Sequence, residues 1–107
     1  MISTDRLQRA LTYLAETDEK CAKAKAYLSG LEEQTKTIFG MEYLQVSGPV
    51  EERKAKAYVS KPYQDHLAKI VEATTDYEIM RNKRLTEELI VDVWRSINAA
   101  RRTGNII

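Results

Sequence analysis

Apolar side chains recur along the first third of the chain at steps of three, four and seven: Leu7, Ala10, Leu11, Leu14, Cys21, Ala24, Leu28, Leu31 and Ile38. That period places them in one stripe and predicts an amphipathic helix over residues 4–39. Ser3 or Thr4 is placed to cap it, with Asp5 complementing the dipole in its first turn. Gly30 costs about 1 kcal/mol relative to alanine in a helix, which makes it a point for a break or kink. Gly40 is the expected stop. The pattern then lapses over residues 41–48, and Ser47-Gly48-Pro49 marks a turn, with Pro49 at the first position of a short helix over residues 50–59.

Ser60-Lys61-Pro62 offers a second cap, and beyond it no proline or glycine occurs until Gly104. One long helix is predicted from there, close to 60 Å at about 1.5 Å per residue. Leu67, Ile70, Val71, Thr74, Tyr77 and Arg81 mark its first face. Met80, Ile90, Trp94 and Ile97 align further on, with Leu85, Leu89 and Val93 to one side. The apolar band widens after Leu85 until it covers most of the circumference. One antiparallel neighbour does not cover such a band, so Leu89, Ile90, Val93, Trp94 and Ile97 are the expected oligomer interface. The expected fold is all-α: a long helical hairpin with a short intervening helix, its bundle completed by homo-oligomerisation. Residues 1–40 form the first long helix, 41–60 the linker and short helix, and 61–103 the second long helix of a single domain. Thr103-Gly104-Asn105 is the expected helix end, with Ile106-Ile107 a fraying tail.

Composition narrows the class. Charged residues make up 31% of the chain, with 4 Gly and 2 Pro, which suits a helix-rich protein. No apolar run is long enough to cross a membrane, and the first six residues carry no apolar signal region, so a cytoplasmic protein is expected. The single Cys21 fits a reducing compartment. Net charge is only +1, with 6 basic and 7 acidic residues in 1–48 and 11 basic and 9 acidic in 49–107. That balance argues against a protein held on nucleic acid by bulk charge, and leaves local clusters as the place to look.

Candidate chemistry is sparse. His66, the only histidine, reads as a surface residue near a helix start, and Cys21 as a small buried thiol; neither has metal-ligand spacing, so no metal or cofactor is expected. The pairs Glu32-Glu33, Glu51-Glu52 and Glu87-Glu88 are adjacent on helices and do not face each other, and no phosphate loop or nucleophile motif occurs, so no catalytic activity is expected. Cations and aromatics do interleave at the elbow. Arg53, Lys54, Lys56 and Lys61 could neutralise phosphates while Tyr58 and Tyr63 stack on unpaired bases, with Arg81, Lys83 and Arg84 extending the track. The plainer explanation packs both tyrosines into the elbow core and pairs Lys83 with Glu87 and Arg84 with Glu88. At the far end, Arg101 and Arg102 suit the helix dipole.

Arg53, Ala57, Ser60 and Tyr63, followed by a long helix closing in Trp94-Arg95-Ser96, Ala99-Ala100 and Arg101-Arg102, form a pattern covering roughly residues 50–102. It resembles a family of small helical phage proteins encoded beside single-strand annealing or single-strand DNA-binding proteins. The resemblance implies a non-enzymatic accessory of phage or prophage DNA recombination or replication, in the host cytoplasm. Its expected partner is single-stranded DNA or the annealing or single-strand-binding protein that coats it. The alternative is a phage protein-interaction module that inhibits a host defence or nucleic-acid enzyme.

Overall fold

The computed structural model describes residues 1–104, so Asn105 and the expected fraying tail, Ile106-Ile107, lie outside the described residues. The described chain is all-α, with α1 at Thr4–Leu44, α2 at Val50–Val59 and α3 at Lys61–Arg102. The sequence expectation of two long helices separated by a short one holds.

Local chemistry explains most of the boundaries. Ser3 caps α1: its Oγ accepts from Arg6 N at 3.0 Å, and its carbonyl accepts from Leu7 N. Ser60 closes α2 and opens α3. Its amide and hydroxyl both donate to Ala57 O, its Oγ accepts from Tyr63 N at 3.4 Å, and its carbonyl accepts from Gln64 N. Pro62 sits in the first turn of α3, where its missing N–H costs no helical bond. Gly104, at φ 78°, donates to Arg101 O and ends α3 in the left-handed conformation.

The expected stop of α1 at Gly40 is corrected, and the break that Gly30 left open is absent: the helix runs unbroken to Leu44. The last turn is held by packing within the helix and across to α2: Phe39 and Tyr43, four residues apart, stack with centroids 6.2 Å apart, and the Arg53 guanidinium lies 4.6 Å from the Tyr43 ring centre. Those contacts outweigh a glycine cost of about 1 kcal/mol. The turn that follows uses Gly48 at φ 122°, and Pro49 is the N-cap of α2, one position earlier than expected.

The chain forms two compact units. One comprises Met1–Ala22 with Glu78–Ile107, of which the last three residues lie outside the description, and the other is Lys23–Tyr77. In the first, the start of α1 runs antiparallel to the end of α3. Arg6 pairs with Glu87 at 2.5 Å, Arg84 reaches Leu14 and Thr17, and Arg101 reaches Met1. Ala10 and Val91 are its buried apolar residues. In the second unit, the end of α1 runs antiparallel to the start of α3 with α2 packed beside them, and Leu31, Ala57 and Ala73 are buried. Small residues at these centres let helices approach closely. The cost is a thin core, since no large side chain is fully buried among the described residues.

Candidate functional site

The elbow of the second unit is built around four rings. Phe39 lies 4.6 Å from Tyr58 and 6.0 Å from Tyr63 by centroid, and Tyr58 meets Tyr63 edge-on at 5.6 Å. Ala57, fully buried, lets α2 lie close enough for these contacts. The structure thus brings Tyr58 and Tyr63 together, with their ring faces engaged by each other and by Phe39. Tyr58 keeps half its surface exposed, and Gln64 Nε2 donates to its backbone carbonyl at 2.6 Å.

The elbow lysines are each paired. Lys54 lies 3.5 Å from Glu51, Lys56 3.2 Å from Glu52, and Lys61 2.8 Å from Asp65. Lys56 also donates to Ser47 O at 3.3 Å. The hydrogen bond to Asp65, and then that carboxylate's charge, raise the Lys61 pKa above the usual lysine value. All three pairs are solvent-exposed and individually weak. Together the three carboxylates lower the positive charge of the elbow, leaving Arg53, which lies over the Tyr43 ring, as its remaining cation.

Around these charges the elbow leaves apolar side chains uncovered. Leu44 is 82% exposed and Val59 75%, and Met41, Val50 and Tyr58 are each exposed by about half. The lapse in helical period at residues 41–48 hid this feature, because exposed apolar residues outside a stripe leave no pattern to read.

Beneath the elbow, His66 corrects the expectation of a surface histidine. It is 4% exposed, and its Nε2 shares a 3.0 Å hydrogen bond with Thr35 Oγ1. Cys21, expected to be buried, is half-buried.

The second basic cluster lies in the other unit and divides by role. Arg81 pairs with Glu78 of its own helix at 3.5 Å. Lys83 is exposed and has no ion-pair partner among the described residues. Arg84 turns to α1: Nη1 donates to Leu14 O at 2.8 Å and to Thr17 Oγ1 at 2.6 Å, and Nη2 lies 3.3 Å from Asp18. With its side chain 15% exposed, Arg84 is an inter-helix clamp. The pairs Lys83–Glu87 and Arg84–Glu88 do not form: Glu87 is taken by Arg6 from α1, and Arg84 is spent on Leu14, Thr17 and Asp18.

The expected interface residues also divide. Leu89 is 62% exposed and Val93 40%, whereas Ile90, Trp94 and Ile97 are half-buried. Trp94, Ile97, Asn98 and Arg101 line a groove of about 340 Å³ with the first four residues of the chain. Val91, passed over in the sequence reading, is the residue that faces inward at 7% exposure.

No helix is long and apolar enough to cross a membrane, and no group of three metal-ligating side chains occurs among the described residues. Comparison with protein-family models, with curated proteins and with solved structures finds no match to this chain.

Proposed function

We propose that this chain is a non-enzymatic helical adaptor that binds a protein partner through the elbow at the α1–α2–α3 junction. The supporting observation is the composition of that surface. Its three lysines are each paired with a carboxylate, Glu51, Glu52 or Asp65, while Met41, Leu44 and Val59 stay exposed. Exposed aliphatic and aromatic groups rimmed by mixed charge suit a protein surface. A phosphate backbone is bound by unpaired cations, with a steep dependence on salt.

The resemblance to phage accessory proteins gives the partner its class: a single-strand annealing or single-strand-binding protein coating DNA. Direct binding of single-stranded DNA through Lys54, Lys56, Tyr58, Lys61 and Tyr63, with Arg81 and Lys83, is the competing reading. Inhibition of a host enzyme is a further alternative within the protein-binding class.

Fluorescence anisotropy with a labelled single-stranded oligonucleotide, bare and pre-coated with such a protein, at low and physiological salt, separates these readings. The expected result is binding to the coated strand alone. Leu44→Asp with Val59→Asp should abolish it with the helical circular dichroism intact, and replacing Lys54, Lys56 and Lys61 by Glu should leave it in place. Salt-sensitive binding to the bare strand that disappears in the triple lysine variant would overturn the adaptor reading in favour of direct DNA contact.

A further inference from the structure

We infer that the outer face of α3 in the first unit is the seam of a parallel two-stranded coiled coil with a second copy of this chain. The surface lies opposite the one that packs on α1. Arg84 and Val91, seven residues apart, point toward α1, and Asn98 continues their row. Half a turn away, residues alternate at spacings of three and four from Ile79 to Thr103, and none carries a charge. One row of this heptad is Ile79, Thr86, Val93 and Ala100, and the other is Asn82, Leu89, Ser96 and Thr103. All are exposed except Ala100, which is half-buried. Leu85, Ile90 and Ile97 widen the apolar strip at its flanks.

The pattern is local. One and two heptads upstream of Ile79, its own row carries the exposed charges Glu72 and Asp65, while the Asn82 row carries Thr75 and Ala68. The uncharged seam therefore spans residues 79–103, more than three heptads and about 36 Å of helix. A strip of this length and period is complementary to another helix with the same repeat.

The choice of a second copy, and of its direction, rests on side-chain chemistry. β-branched Ile79 and Val93 in the first row, with Leu89 in the second, is the arrangement that favours two parallel strands. In that register each Asn82, in the second row, meets its counterpart, and the two amides can hydrogen-bond. The flanks agree. Glu78 of each copy faces the partner's Lys83, five residues on, and Leu85 faces the partner's Ile90. Lys83 is available for this contact, and Glu78 lies 3.5 Å from Arg81 at the exposed edge of its own helix. Reversing one copy so that the same seam residues still meet would instead place Asp92 against its own counterpart, an unfavourable like-charge contact.

Sedimentation velocity across a concentration series, together with cross-linking, tests this. The wild-type chain should sediment as a dimer, and Leu89→Asp should raise the dissociation constant by more than about 100-fold with helical content of the monomer retained. Glu78→Lys and Lys83→Glu should each weaken self-association about fivefold or more, and mixing the two single variants should restore wild-type affinity, because both flanking pairs are again opposite in sign. Thr86→Cys in a Cys21→Ser background should give a disulfide-linked dimer on mild oxidation, since its row meets itself only in the parallel register. A wild-type monomer at all concentrations overturns the inference. So does cross-linking of Thr86→Cys only to Ser96→Cys, which would mean antiparallel strands, or a mixture of the two charge variants that associates no better than either alone.

Discussion

Arg84 offers the sharpest test of how the first unit is held together. Its guanidinium donates to Leu14 O at 2.8 Å and Thr17 Oγ1 at 2.6 Å from a side chain that is largely buried. Hydrogen bonds with one charged partner contribute about 1.5–3 kcal/mol each, and these two share one cation. The Asp18 contact at 3.3 Å adds little, because that carboxylate is 82% exposed. Removing the guanidinium does not orphan its acceptors: Leu14 O remains within a continuous helix, and Thr17 Oγ1 still donates to Tyr13 O at 2.7 Å. The expected cost of Arg84→Ala is therefore about 2–4 kcal/mol, a large share of a small domain's stability. Arg84→Lys keeps the charge but loses the fork, and should cost about half as much. Urea unfolding followed by circular dichroism at one fixed protein concentration reads both, with the midpoint falling and the slope unchanged. A loss below about 0.5 kcal/mol for Arg84→Ala, accompanied by a fall in oligonucleotide affinity, would refute the clamp and return Arg84 to the nucleic-acid track.

Other substitutions separate local from tertiary effects. Gly30→Ala should stabilise the chain by about 0.5–1 kcal/mol in the same assay, because an added Cβ meets nothing within 4 Å and α1 is already helical there; a destabilised variant would mean that Gly30 is covered in the assembled protein. Thr35→Val should cost about 1–2 kcal/mol by leaving the buried His66 Nε2 unsatisfied, and an unchanged melting curve would argue against that hydrogen bond. Trp94→Ala should cost about 1.5–2.5 kcal/mol, roughly half the loss for a fully buried aromatic, since Trp94 is half-buried. The same variant should leave the sedimenting mass unchanged, because Trp94 lies off the uncharged seam; a monomeric product would put it back in the interface.

The helix order was legible because its punctuation is local. Ser3, Ser60 and Gly104 act through bonds within a few residues of themselves, so sequence spacing alone locates them. Most misread positions have a partner on another helix. Gly40 looked like a stop because the contacts of Phe39 with Tyr58 and of Tyr43 with Arg53 are invisible to a local propensity. Arg84 and Glu87 looked like members of same-helix pairs, yet each is satisfied across the gap between helices, by Leu14 and Thr17 and by Arg6. His66 was taken for a surface residue on its type, and the Thr35 hydroxyl that satisfies it is 31 residues away. The elbow lysines were legible as a cluster, while their carboxylate partners at three or four residues' distance were underweighted.

The widening of the apolar band after Leu85 is where sequence pattern and structure reinforce each other. α1 occupies one side of α3 in the first unit and is already matched there by Val91, Arg84 and Glu87. Leu89 and Val93 lie on the opposite side with Leu85 at its flank, and they stay 62%, 40% and 46% exposed. Fully covering an exposed side chain of this kind contributes about 1.5–3 kcal/mol; these are about half exposed, so each has roughly half of that to gain, and association of two molecules costs an estimated 4–15 kcal/mol. With three such residues from each copy the two quantities are of the same order, and the uncharged heptad rows add close packing without a desolvated charge. A dimer built on this seam is accordingly concentration-dependent. That is why a mass measured across a dilution series tests the interface better than one measured at a single high concentration.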